Sequence, residues 1–292
     1  MADLALTLLT LAWGTTFLLV KRVLDGTSPG VFLVLRFATA SAVLLLLVLA
    51  RRDRPNPGLL RHGLLLGAFM FAGFAFQTWG LRFTTPARSG FLTGLAVLFV
   101  PFVARFLLRR RVPWTSWLGV LLAVGGLLLL TRPLGGGISA AVRLGDLLTA
   151  GCAVSYAFQI VYTTEWSPRH PLVPLTAVQV AATLAGAALM LPFEEIRIRP
   201  GAELAGTVAF TGLAMTAGAF FVMNWAQRHT TAVRAALIYS LEPPAAALFS
   251  HFYGGEPLGP MDWAGGALIV LAVLAGEVGG ALETRRRQMS AA

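Results

Sequence analysis

The stretch WGLRFTTPAR, residues 79–88, returns as WAQRHTTAVR at residues 225–234. Trp, Arg, Thr, Thr and Arg recur in register, and the offset of 146 is half of the 292-residue chain. A charged, helix-breaking phrase written twice, half a chain apart, points to a duplicated unit. The matches spread outward from it. Trp117-Leu-Gly119 lies over Trp263-Ala-Gly265, and Gly90 and Gly94 lie over Ala236 and Ser240, at the same offset. At an offset of 143, FATASA (37–42) lies over VAATLA (180–185) and Trp13 over Tyr156. A gap of three residues reconciles the two registers.

What surrounds the phrase is apolar. Hydrophobic residues make up 57% of the chain and charged residues 12%, with a mean hydropathy of +0.74. Soluble domains carry about 25% charged residues, so this composition places the chain in a membrane. Ten runs are near the roughly 20 residues that a crossing helix needs: 3–23, 29–50, 61–82, 87–108, 114–131, 145–165, 172–193, 203–226, 233–252 and 262–282. They are far too long for barrel strands of about 9–11 residues. The first run lacks a basic leader segment and a small-residue cleavage pattern, so it is expected to be a span and not a signal peptide. The single cysteine, Cys152, excludes an internal disulfide.

Ten runs in two related sets make five per set, residues 1–143 and 144–292. Because five is odd, the second set enters the bilayer upside down relative to the first. The expected fold is therefore all-α and integral to the membrane, two inverted five-helix repeats, an arrangement that transporters use to open one central site to either side. With the N-terminus in the cytoplasm, Arg51, Arg52, Arg54, Arg61, Arg109, Arg110, Arg111, Arg169, Arg228, Arg234, Arg285, Arg286 and Arg287 fall inside. Lys21, Arg22, Arg82, Arg88, Arg132, Arg143, Arg197 and Arg199 fall outside, and so does the acidic Glu256. The positive-inside bias then favours both termini in the cytoplasm. The high pI of about 11.2 belongs to this topology signal, since no basic patch with interleaved aromatics suggests nucleic acid.

Polar groups at membrane depth are costly unless they are paired or face a cavity, and they are the candidate substrate contacts. Arg36 lies about 10 Å inside Pro29 at 1.5 Å per residue. It either offers a fork of donors to a substrate carboxylate, or snorkels outward, or pairs with protein groups. Glu242 precedes Pro243-Pro244, two residues that cannot donate to a helix ladder and so break the run; it either binds an ammonium or a proton, or is a structural carboxylate. Trp13, Thr16, Met70, Phe74, Gln77, Thr93, Tyr156, Gln159, Met223, Asn224 and Tyr239 complete the expected cavity. Met70, Phe74 and Gln77 share one helical face at i, i+4, i+7. Gly90, Gly94, Ala236 and Ser240 are expected at close helix crossings. In the doubled phrase, the Thr pair is expected to cap the next helix.

LAWGTTFLLVKR, VLRFATA, PARSGFLTGLAVLFVPF and LEPPAAALFSHFYGGEPLGPMDWAGGALIV together resemble the EamA family of the drug/metabolite transporter superfamily, over nearly the whole chain. Within it the chain is similar to YddG-type amino acid exporters. The resemblance implies export of amino acids and related small metabolites, aromatic ones included, across a bacterial inner membrane. The alternative is a proton-coupled multidrug or cation exporter, with Glu242 as the coupling carboxylate. The expected partners are the small-molecule substrate and membrane lipids, and the protein is expected to act as a monomer. No metal, cofactor or ATP is expected: the chain has no H-E-x-x-H, no G-x-S-x-G and no G-x-x-x-x-G-K-[ST] motif, which also argues against an enzyme.

Overall fold

The computed structural model describes residues 1–51, 53, 55–110, 112–131, 139–255 and 257–291, and of 130, 131 and 276–291 only the course of the backbone. Arg52, Arg54, Arg111, Arg132 and Glu256, which enter the charge bias, lie outside the described residues, as do the side chains of Arg285, Arg286 and Arg287.

The described residues form helices joined by short connections, with no strand. α1 (Ala2–Leu24), α2 (Pro29–Arg51) and α3 (Leu59–Leu81) are each 23 residues long, about 34 Å at 1.5 Å per residue. Pro29 opens α2, where its missing N–H costs nothing. α4 (Pro86–Gly94) and α5 (Ala96–Phe106) follow, then α6 (Trp114–Thr131), α7 (Ala140–Trp166), α8 (Leu172–Met190), α9 (Ala202–Ala209), α10 (Ala219–Ala226), α11 (Ala232–Tyr239), α12 (Glu242–Gly254) and α13 (Pro260–Ala291). Residues Phe210–Gly218, between α9 and α10, wind as a π-helix. Among the described residues, seven helical stretches are long and apolar enough to cross a bilayer by length and composition. Trp114–Leu129 and Pro260–Ala275 are shorter apolar helices.

Three expected runs are not single regular helices. The run 87–108 is interrupted at Leu95, and 233–252 at Ser240–Leu241. Pro243 and Pro244 sit in the first turn of α12, where a helix tolerates them; Leu95 has no proline beside it to give its break away. The run 203–226 contains the π segment. The doubled Thr phrase does cap: Thr85 Oγ1 accepts from Arg88 N at 3.2 Å and Thr231 Oγ1 from Arg234 N at 3.3 Å.

The helices gather through small residues. α3 packs on α7 and α8, α1 on α12, α4 on α12, and α6 on α13. A Cβ on Gly67 of α3 would stand 2.6 Å from the Gln179 carbonyl oxygen of α8, and one on Gly94 of α4 would stand 2.7 Å from Pro243 Cγ of α12. Ala236 and Ser240 are buried at the end of α11. Inward residues such as Phe32, Leu33 and Phe37 are fully buried, whereas Leu45, Leu46 and Leu49 of the same helix are exposed. Exposed leucines of this kind suit a lipid-facing wall, since lipid tails are as apolar as leucine.

Polar contacts collect at the two ends of the bundle. On the face that carries Met1, Arg234 pairs with Asp3 at 2.9 Å, Arg110 with Glu165 at 2.8 Å, and Asn56 Nδ2 donates to the Arg169 carbonyl at 2.6 Å. On the opposite face, Arg88 clasps Asp146 with Nε and a terminal nitrogen at 2.5–3.0 Å, Lys21 Nζ donates to the Leu81 carbonyl at 2.7 Å, and Ser28 N to that of Arg197 at 2.9 Å. Substituting Gly67→Leu forces α3 from α8 and is expected to cost about 1–3 kcal/mol. It should lower the melting temperature in detergent, while Gly206→Leu, a position with nothing within 4 Å, leaves it unchanged.

Candidate functional site

The π segment shapes the centre of the molecule. Winding at i→i+5 shifts the register, and Thr216 Oγ1 donates to the Thr211 carbonyl five residues back at 2.7 Å. This presents the Met215 carbonyl and the Thr216 hydroxyl to the first half of the chain. Arg36 Nε donates to Thr216 Oγ1 at 2.8 Å and a terminal nitrogen approaches the Met215 oxygen at 3.4 Å. Trp13 Nε1 donates to the same carbonyl at 3.1 Å. π-bulges are frequent at functional sites because they free such groups. The Arg36 guanidinium, 4% exposed, also lies 4.5 Å from the centroid of the Phe74 ring, a cation–π contact. Arg36 therefore points inward and does not snorkel.

A cavity of about 670 Å³ of atom-free space, counting its open mouth, lies beside this anchor. Its wall includes Trp13, Thr16, Arg36, Phe74, Gln77, Thr93, Tyr156, Gln159, Met223, Tyr239 and Glu242, all named from the sequence. The aromatic rings brace one another: Phe74 meets Tyr156 edge-on at 5.8 Å, Trp13 lies 5.6 Å from Phe220 and 5.9 Å from Tyr239. Gln77 Nε2 donates to Thr93 Oγ1 at 3.0 Å. Glu242 makes no hydrogen bond or ion pair with any described residue. Arg36 and Glu242 thus line one cavity with opposite charges and are not spent on each other.

Two expected contacts fall elsewhere. Met70 is fully buried in the helix-packing core; it lies on the Phe74 face but one turn deeper, where neighbouring helices close over it. Asn224 is pinned to α8, its Nδ2 donating to Thr176 Oγ1 at 2.9 Å and Gln179 Oε1 at 3.1 Å. Phe220, Ile160 and Val97 line the cavity without having been expected, since apolar residues in apolar helices carry no distinguishing signal. Gly94 and Ala236, expected only at crossings, line it as well.

A second cluster sits on the Met1 face. His62 Nδ1 and His170 Nε2 are 2.7 Å apart, and His170 Nδ1 lies 2.6 Å from Asn56 Oδ1. His62 stacks on Trp166 with centroids 4.4 Å apart, and Arg228 donates to the His170 carbonyl at 2.7 Å. The sequence places His62, His170 and Arg228 only at span ends; their meeting is a product of packing. Among the described residues, no group of three or more His, Cys, Asp or Glu could hold a metal.

The model of the EamA-like transporter family matches residues 1–132 and again 143–275. The chain belongs to this family. An uncharacterized transporter of Archaeoglobus fulgidus is 32% identical over 94% of this chain and 84% of its own. The uncharacterized transporter YwfM of Bacillus subtilis is 25% identical over 90% and 88%, and the uncharacterized inner membrane transporter YedA of Escherichia coli K12 is 24% identical over 92% and 88%. A crystal structure superposes with a TM-score of 0.77 over 95% of this chain and 96% of the other, at 23% identity, a likeness of fold. This EamA-family chain is a multi-pass membrane transporter.

Burial lowers the His170 imidazole from its ordinary value, and His62, Arg169 and Arg228 add to the effect. A lowered folded-state value means that the unfolded chain binds more protons, so stability is full above the ordinary histidine range near 6.5 and declines as pH falls through it. The melting temperature is expected to fall between pH 7 and pH 5, with a shallower slope in His170→Gln, as followed by thermal unfolding in detergent.

Proposed function

We propose that this protein is a secondary transporter that exports amino acids and related small metabolites by alternating access, in the manner of YddG-type exporters. The observation that carries the reading is the pair of unpaired opposite charges. An amino acid zwitterion brings a carboxylate and an ammonium a few bonds apart. Arg36, held by Thr216 and Met215 through Nε and one terminal nitrogen, still has donors for the carboxylate. Glu242 supplies an acceptor for the ammonium. The aromatic wall of Trp13, Phe74, Tyr156 and Tyr239 suits apolar and aromatic side chains and tolerates variety.

Alternating access rests on ten crossings in two inverted halves, 1–143 and 144–292. The two family matches support it, and so do paired features of the structure. The helix breaks at Leu95 and Leu241 and the caps Thr85 and Thr231 are each 146 residues apart. The ion pairs are reciprocal: Arg88 of the first half holds Asp146 of the second, and Arg234 of the second holds Asp3 of the first. The Arg positions differ by 146 and the Asp positions by 143, the two registers of the repeat. We place the Met1 face and both termini in the cytoplasm, with the protein in a bacterial inner membrane.

Glu242 also favours a second reading, a proton-coupled exporter of cations and drugs, because it is a carboxylate of the cavity without a partner. Purified protein in preloaded liposomes separates the two. Amino acid efflux above empty liposomes, with Arg36→Gln reducing it at least tenfold and sparing the decarboxylated amine of the same substrate, is the expected result. Efflux of hydrophobic cations alone, abolished with its pH dependence by Glu242→Gln, would replace it. The inverted halves predict that cysteines at 83 and 229 are labelled from opposite sides of the membrane.

A further inference from the structure

On the face opposite Met1, the last turns of α1, the α3–α4 connection and the first turns of α4 and α7 enclose a second cavity, about 780 Å³ of atom-free space counting its open mouth. Leu18 and Phe83 stand in its apolar wall, and Lys21, Arg82, Thr84 and Arg88 give it a polar rim. Among the described residues no carboxylate lines it. Asp146 is bound to Arg88, Asp25 is exposed one turn on from Lys21, and Glu194 lies against Gly30 at the start of α2. The rim has donors left over. Arg88 gives Asp146 its Nε and one terminal nitrogen and keeps the other. Lys21 Nζ donates to the carbonyls of Leu81 at 2.7 Å and Arg82 at 3.1 Å, which uses two of its three protons. The Arg82 guanidinium makes no hydrogen bond or ion pair with any described residue and lies 5.9 Å from the centroid of the Phe83 ring. Thr84 is 5% exposed, and its hydroxyl has no partner among the described residues. The positive end of α4 opens at the same place.

Buried hydroxyls are ordinarily hydrogen-bonded, so an unpartnered one beside free cations points to an anionic ligand. Topology does not ask for these cations, since the arginine distribution assigns this face to the side poorer in basic residues. Phosphate suits the donor set: guanidinium groups, an ammonium, a hydroxyl and a helix N-terminus each bind its oxygens. The level is that of lipid headgroups, because Lys21 stands in the last turn of a helix long enough to cross the bilayer. An acyl chain also has a track. From Leu18 the same face of α1 runs to Leu11 and Leu8, at i−7 and i−10, and both are exposed. Leu8 lies about 15 Å from Leu18, half of the roughly 30 Å hydrocarbon core. A free anion has no use for that track.

We propose that this cavity binds the phosphate of an anionic phospholipid from the leaflet at the face opposite Met1, with Arg82, Lys21 and Thr84 on the phosphate oxygens and an acyl chain along Leu11 and Leu8. The headgroup bridges α1 and the α3–α4 connection, and through the Arg88–Asp146 pair it reaches α7, so it ties the two halves together at that face. The site shares no wall residue with the central cavity, and the inference does not depend on which solute is carried.

The test uses the full chain, stripped of lipid in detergent, with dioleoylphosphatidylglycerol, dioleoylphosphatidylethanolamine and inorganic phosphate as probes. Bound lipid is counted by native mass spectrometry, and the melting temperature is followed in parallel. Phosphatidylglycerol is expected to bind and to raise the melting temperature, and phosphatidylethanolamine, whose ammonium offsets its phosphate, to do so less. Losing one basic contact to an anionic headgroup in Arg82→Gln is expected to weaken phosphatidylglycerol about fivefold, and Lys21→Gln added to it to weaken binding further. Arg197→Gln, at an exposed arginine of the same face outside the cavity, is expected to bind as the wild type does. Arg82→Gln removes no side-chain hydrogen bond within the protein, so its lipid-free melting temperature is expected to match the wild type. Undiminished binding in Arg82→Gln and in the double variant, or an equal loss in Arg197→Gln, overturns the site. Phosphatidylethanolamine that binds as well as phosphatidylglycerol, or inorganic phosphate that stabilises as well, overturns the anionic lipid as its occupant.

Discussion

A guanidinium at membrane depth must be held by the protein, and here a π-helical stretch of the second half holds one from the first. An α-helical carbonyl is consumed four residues on; in Phe210–Gly218 the wider winding turns the Met215 carbonyl and the Thr216 hydroxyl toward Arg36 and Trp13. A Cβ on Gly212 of that segment would stand 2.9 Å from the Arg36 carbonyl oxygen, so the two backbones must lie close for the anchor to form. That anchor sets the cation on the cavity wall and over the Phe74 ring.

The reciprocal pairs Arg88–Asp146 and Arg234–Asp3 do a related task at the two faces. Each joins the first turn of a helix in one half to the first two turns of a helix in the other. Such partly exposed pairs contribute little to stability by themselves, but they register one half against the other.

Much of the site was legible as polar and aromatic residues in apolar runs, because the hydrocarbon makes each such residue conspicuous. Arg36, Gln77, Tyr156 and Glu242 stand out for that reason and line one cavity. Met70 is buried in the core and not on the cavity wall, because helical spacing gives a face but not a depth. Asn224 turns its Nδ2 to α8, because a buried amide can find partners on another helix. Phe220 was invisible among phenylalanines that pack against lipid or core. The break at Leu95 lacks the proline that marks its counterpart, and no residue pattern betrays a π turn.

What the sequence by itself determined is the class of solvent, the approximate course of the apolar helices, their breaks at Gly, Pro and Thr, and the relatedness of the two halves. Those features are local or repetitive, so composition and spacing carry them. Only the tertiary structure decided that Thr216 meets Arg36, that His62 meets His170, and that Asp3 and Asp146 answer Arg234 and Arg88. Partners as far apart as 231 residues are chosen by helix packing, and packing is a property of shapes brought together, which no single stretch of chain contains.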